Sequence, residues 1–256
     1  MKRLILAALV LGIAAAAQTA AAAYAESPQE LLARIDAGRD IPDLSFVLQM
    51  TSFDGEKQLD SNTLWGFVRG LGGDNKSLIA FAEPASVRGR KMLMDGNIVY
   101  LLFPKTTNPI RLSPLQILMG EASNGDVVRT GFAQDYDVVS LADVQRDGAD
   151  CWLFSLAVKE SRKDATYKKV QLWVNKQTLH VAYAEFSTGD RLLKKATYSD
   201  YRRALERDIP FTVDIHDGEN PQKHTVMTYL KIGRKPVSET VFRRDYLQSW
   251  TPEQPK

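Results

Sequence analysis

Three histidines, one cysteine and scattered carboxylates are the residues here that could transfer protons, attack a substrate or hold a metal at neutral pH. His180 opens a strand-like run after a turn, His216 ends one before Asp217-Gly218, and His224 opens the next. None shows His-x-x-x-His or Glu-x-x-His spacing, although His216 and His224 can face each other across the hairpin they flank. Two ligands without a third make a weak site, so no metal is expected. Cys151, beside Trp152 in an apolar run, reads as a packing residue, and as the only cysteine it can form no disulfide within the chain. Asp135 and Asp137 lie two apart, but glycoside hydrolysis needs two carboxylates facing across a cleft. A Gly-x-Ser-x-Gly elbow, a Walker-type loop and a Gly-x-Gly-x-x-Gly turn are all absent. The expectation is therefore a non-enzyme without catalytic residues or cofactor.

The elements that would position a binding site are mostly strands. Ser27-Pro28-Gln29-Glu30 is a helix start: Ser as N-cap, Pro at the first helical position, Glu three residues after the cap. Leu31, Leu32 and Ile35 follow at helical spacing, and Gly38 can close the helix. From Leu44 the period changes to two, with turns at Asp54-Gly55, Asp147-Gly148, Gly189-Asp190 and Asp217-Gly218. About eleven antiparallel strands in meander order predict a mainly β fold with helices, a large curved sheet of open half-barrel form. Residues 104–134 interrupt the meander with Pro104, Pro109 and Pro114 and a short apolar turn. An insertion of that length marks a lid or binding loop, here Leu112 to Phe132 with Gly120 and Gly125 as hinges. Phe242, Tyr246 and Trp250, spaced by four, predict a short terminal helix over 238–250.

Charge and the N-terminus narrow the setting. Lys2 and Arg3, an apolar Leu4 to Ala17 and Ala23-Tyr24-Ala25 form a secretory signal, expected to span residues 1–25 and to be cleaved after Ala25. Without Lys2 and Arg3, the 33 Lys and Arg become 31, equal to the 31 Asp and Glu. A neutral chain without a basic block does not suit nucleic acid. Residues 26–256 are expected to fold as one exported domain acting as a monomer.

Several strands are apolar on both faces. Trp65 and Phe67 point one way and Leu64 and Val68 the other; Ile98 to Phe103 behaves alike, and Met92 and Met94 share a face. Such residues suit either an acyl-binding cavity or an ordinary two-sided core. The first reading assigns the lining to Phe46, Leu48, Trp65, Phe67, Met92, Met94, Tyr100 and Leu102 on the strands and to Ile117, Leu118 and Met119 on the lid.

The order and spacing of short motifs then carry a resemblance. Pro84-Ala85-Ser86-Val87-Arg88-Gly89-Arg90-Lys91-Met92-Leu93, Tyr100-Leu101-Leu102-Phe103-Pro104 and Arg111 are similar to LolA-like outer-membrane lipoprotein-sorting proteins, in a divergent branch. So are Met119-Gly120-Glu121-Ala122-Ser123-Asn124-Gly125-Asp126-Val127, Asp135-Tyr136, Cys151-Trp152-Leu153, Leu172-Trp173-Val174, Tyr198 and Tyr201. The resemblance covers about residues 45 to 250. It implies a half-barrel closed by helices that carries the acyl chains of lipoprotein or lipid through the periplasm. It also implies an inner-membrane export permease and an outer-membrane acceptor as partners, and Arg88, Arg90 and Arg111 as candidates for cargo contact or release. The alternative is a periplasmic adaptor or sensor that binds such a partner without transport.

Overall fold

A computed structural model describes residues 26–69, 76–96, 98–128, 131–162, 165 and 167–255; the expected signal segment lies outside them. Helix α1 (Pro28–Arg39) begins where its signature places it. The Ser27 hydroxyl accepts from the Glu30 backbone N–H while the Glu30 carboxylate accepts from the Ser27 N–H at 2.8 Å, so two donors of the first turn are satisfied. Its buried Leu31, Leu32 and Ile35 belong to the main core.

The chain enters the sheet at its centre and runs outward through β1 (Leu44–Asp54), β2 (Lys57–Arg69), β3 (Lys76–Glu83), β4 (Lys91–Asp95), β5 (Ile98–Leu102) and β6 (Ile110–Leu112). It then leaves the sheet for a small hairpin, β7 (Ile117–Met119) and β8 (Ala122–Ser123), followed by α2 (Asn124–Val128). The sheet resumes at its far edge with β9 (Tyr136–Arg146) and returns through β10 (Ala149–Val158), β11 (Lys169–Asn175), β12 (Val181–Thr188), β13 (Arg191–Ala204), β14 (Arg207–Asp217) and β15 (Lys223–Arg234). There β15 pairs with β1, joining two antiparallel meanders into one sheet of thirteen strands among the described residues. Among the described residues the sheet does not close: β6 and β9 are its edges, and residues 113–128 and 131–135 lie between them in the chain, as the bridging segment. Thirteen exceeds the expected eleven partly because Ile110-Arg111-Leu112, three residues close to prolines, is too short to show a period of two.

Alternation along the strands builds two apolar layers. Phe46, Leu48, Met50, Leu64, Met92 and Met94 face inward with α1 and the bridging segment; Phe67, Leu78, Leu93 and Leu102 face outward against Phe242, Leu247 and Trp250. That outer cover is not the α-helix its four-residue spacing predicts. Two 3₁₀ turns form instead, Glu239–Phe242 and Arg244–Tyr246, separated by an extended Arg243 with φ −109°. Ser238 supplies no cap bond, and Leu247 rather than Tyr246 is buried, so the stripe is set by the sheet beneath it.

Candidate functional site

Between the inner face, the C-terminal end of α1 and the bridging segment lies a hollow with a cavity volume of about 120 Å³. Its floor comes from three adjacent strands: Ala196 and Tyr198 on β13, Val213 and Ile215 on β14, Met227 and Tyr229 on β15. These are alternate residues, so the period of two turns every second side chain into the space. Phe132, Val127 and Gly125 of the bridging segment form the roof, and Ile41 and Leu44 one side.

Several ionisable groups at or beside the walls are engaged with one another. Lys194 Nζ donates to Asp126 Oδ2 at 2.7 Å, the two side chains being 11% and 9% exposed. Asp126 also accepts from the Tyr167 hydroxyl at 2.6 Å and from the Ser123 N–H and hydroxyl at 2.8 Å. Burial, then the Asp126 carboxylate, pushes the Tyr167 phenol well above its ordinary range. Asp36 Oδ2 accepts from the backbone N–H groups of Phe132 and Ala133, both at 2.6 Å, while its other oxygen accepts from Arg39 at 2.8 Å. Desolvation opposes the Arg39 cation, yet neighbouring Asp36 leaves its proton held more tightly than usual. Burial moves Tyr229 to about 12, so its hydroxyl is neutral at physiological pH. The arrangement is an apolar hollow with polar anchors holding its roof, suited to taking up an apolar chain.

The residues singled out in the sequence occupy other places. Phe46, Leu48, Met92, Met94 and Met119 are buried in the inner core, with Leu118 packed against it. Phe67 and Leu102 lie in the outer layer, with Trp65 and Tyr100 against it. Ile117 is 61% exposed. None of these eleven lines the cavity. Arg88 Nε donates to the Ala82 carbonyl at 2.9 Å, Arg90 lies over the Phe103 ring at 5.6 Å, and Arg111 sits exposed on edge strand β6. Gly125 does line the cavity. Gly120 has φ +52°, and a Cβ there would stand 2.3 Å from Thr225 Oγ1 and 2.6 Å from Ser52 Cβ. Beside it the Glu121 N–H donates to Thr225 Oγ1 at 2.8 Å, seating the β7–β8 hairpin on the sheet.

Sequence reasoning placed Asp126 and Tyr198 only within the family resemblance, and it did not single out Lys194 or the β14–β15 floor. One signal was present: Lys194, Ala196 and Tyr198 share a strand face, and a lysine on an inward stripe calls for a buried partner.

The model of a protein family described as uncharacterized matches residues 73–249. No curated protein matches the chain. Among solved structures, a LolA superfamily protein from Nitrosomonas europaea superposes with a TM-score of 0.77 at 29% identity, covering 87% of this chain and 100% of its own. A DUF1329 family protein from Desulfovibrio piger gives 0.74 at 22%, covering 86% and 97%. A chain described as an outer membrane lipoprotein-sorting protein domain, from Vibrio parahaemolyticus, gives 0.73 at 19%, also covering 86% and 97%. The last two speak to fold alone.

Proposed function

We propose that this chain, which belongs to the family described as uncharacterized and is similar over most of its length to a LolA superfamily protein, is a periplasmic carrier that shelters the acyl chain of a lipid or lipoprotein and moves it toward the outer membrane. The observation that carries this reading is the hollow over Val213, Ile215 and Met227, apolar at its floor and open at one side. Burial of apolar surface would drive capture: at about 0.8 kcal/mol per methylene, one long chain supplies on the order of 10 kcal/mol before ordering costs.

The bridging segment serves as the lid. Raising it lifts Met119 from the inner face, so the hollow extends over Met92, Met94, Leu48 and Phe46 and admits a longer chain. Ion pairing of Lys194 with Asp126 keeps it closed at rest, and release follows when an acceptor binds the cargo better than the open cavity does. In this reading residues 1–25 are removed after Ala25, the mature monomer takes cargo from an inner-membrane permease, and the site binds without catalysis. No helix among the described residues is long and apolar enough to cross a membrane.

Transfer between two vesicle populations tests the carrier reading. Labelled acyl lipid should move to acceptor vesicles at a rate proportional to protein concentration. Binding without transfer would identify an adaptor instead.

A further inference from the structure

The β14–β15 hairpin carries a second group of side chains that the cavity does not use. Val213 and Ile215 point inward, so Asp214 and His216, the alternate residues of β14, point to the outer face. His216 stands directly opposite His224 in the β14–β15 register. The two rings stack with centroids 4.6 Å apart and 9° between planes. Asp214 divides its carboxylate between them: Oδ1 lies 2.8 Å from His224 Nδ1 and Oδ2 lies 3.1 Å from His216 Nε2. One ligand atom from each residue lies within 4.8 Å of the others.

The hydrogen-bond polarity of His216 makes this more than a cluster of polar groups. Its Nδ1 is 2.6 Å from the Pro221 carbonyl, which only accepts, so Nδ1 carries the hydrogen. A neutral ring then presents the Nε2 lone pair to a carboxylate oxygen. Two acceptors facing each other require a cation between them, a second ring proton or a metal ion. A backbone carbonyl behind an imidazole is also the outer-shell arrangement that fixes the tautomer and raises the basicity of a metal-binding histidine. Phe53 stacks on His224 at 4.9 Å and 22°, holding the second ring in place.

We propose that Asp214, His216 and His224 bind a divalent first-row cation of borderline softness, with Zn²⁺ as the representative ion. Two imidazoles and one carboxylate match the nitrogen and oxygen donors such ions take, whereas Ca²⁺ and Mg²⁺ call for oxygen alone. The three side chains are 30%, 30% and 19% exposed, so the ion enters from solvent without lid movement and keeps a coordination position for water or a partner's ligand. The third ligand escapes a search by sequence spacing because His216 and His224 are joined through a turn, and Asp214 reaches them only by strand alternation.

Calorimetric titration of the full chain, stripped with EDTA and free of a polyhistidine tag, with zinc chloride tests the site. One equivalent should bind saturably, as a three-ligand site with a vacant position can. His216→Gln and His224→Gln should each weaken it at least about tenfold, and Asp214→Asn, which keeps the shape of the side chain, should weaken it measurably. His180→Gln should leave it unchanged, since His180 stacks on Tyr201 at 3.9 Å in a separate contact. Thermal melts identify any variant that has lost its fold. Absence of saturable binding, or a one-equivalent event that survives in folded His216→Gln and His224→Gln, overturns the proposal.

Discussion

Lys194 of β13 donates to Asp126 of α2 across 2.7 Å, and this nearly buried ion pair ties the bridging segment to the sheet at the cavity wall. Removing one partner leaves the other charge stranded, which costs roughly 3 kcal/mol. Lys194→Met should therefore lower Tm by about 6–12 °C. Hydrogen exchange should quicken across residues 113–128, and Lys194→Met combined with Asp126→Asn should recover part of the loss.

Gly120 separates backbone strain from close packing. Gly120→Ala meets both a φ of +52° and the Thr225 hydroxyl, whereas Gly55→Ala meets a φ of +59° in open space. We expect about 1 kcal/mol for Gly55→Ala and at least ~2 kcal/mol for Gly120→Ala, measured by denaturant unfolding. Only Gly120→Ala should loosen the β7–β8 hairpin in hydrogen exchange.

The outer cover should matter for stability and not for cargo. Trp250 is buried edge-on to Phe67 with centroids 5.9 Å apart, and Lys91 Nζ donates to the carbonyls of Leu247, Gln248 and Trp250. Trp250→Ala should cost about 3–5 kcal/mol in denaturant unfolding. Fluorescent fatty-acid affinity of the folded fraction should stay within about twofold, a difference of roughly 0.4 kcal/mol, because this layer lies on the face away from the cavity.

Asp40, which caps α1, gives a pH signature. Burial raises its carboxyl from 3.8 to about 6, against the pull of Arg207. The folded state then binds the extra proton between those values, so stability falls as pH rises through that window. Asp40→Asn should raise Tm by about 2–4 °C at pH 7.5, counting only ~1 kcal/mol for a partly solvated group. It should change little below about pH 4, where both states are protonated.

The strand pattern and the helix start are legible because each rests on local rules: alternation at Leu64 to Val68, a capping box at Ser27 and Glu30. The β13–β14 turn is not, since Leu205 and Glu206 adopt φ of +49° and +67° without glycine or asparagine to announce it. Faces can be told apart from sequence, but not which apolar face stays unfilled. Met92 and Met94 look like lining, yet Met119 of the bridging segment shares their packed core, while plainer Val213 and Ile215 border the hollow. A cavity is set by the path of the chain across it, and the three prolines and three glycines of residues 104–134 do not encode that path locally.

Native mass spectrometry of the mature protein, with and without Ala196→Leu plus Val213→Phe in the cavity floor, tests the acyl-binding claim most directly. The unaltered protein, incubated with a long-chain lipid and gently desalted, should retain one acyl ligand, and the filled variant, folded by circular dichroism, should retain none. A wild-type protein that emerges without lipid, or a filled variant that binds equally well, would contradict the account.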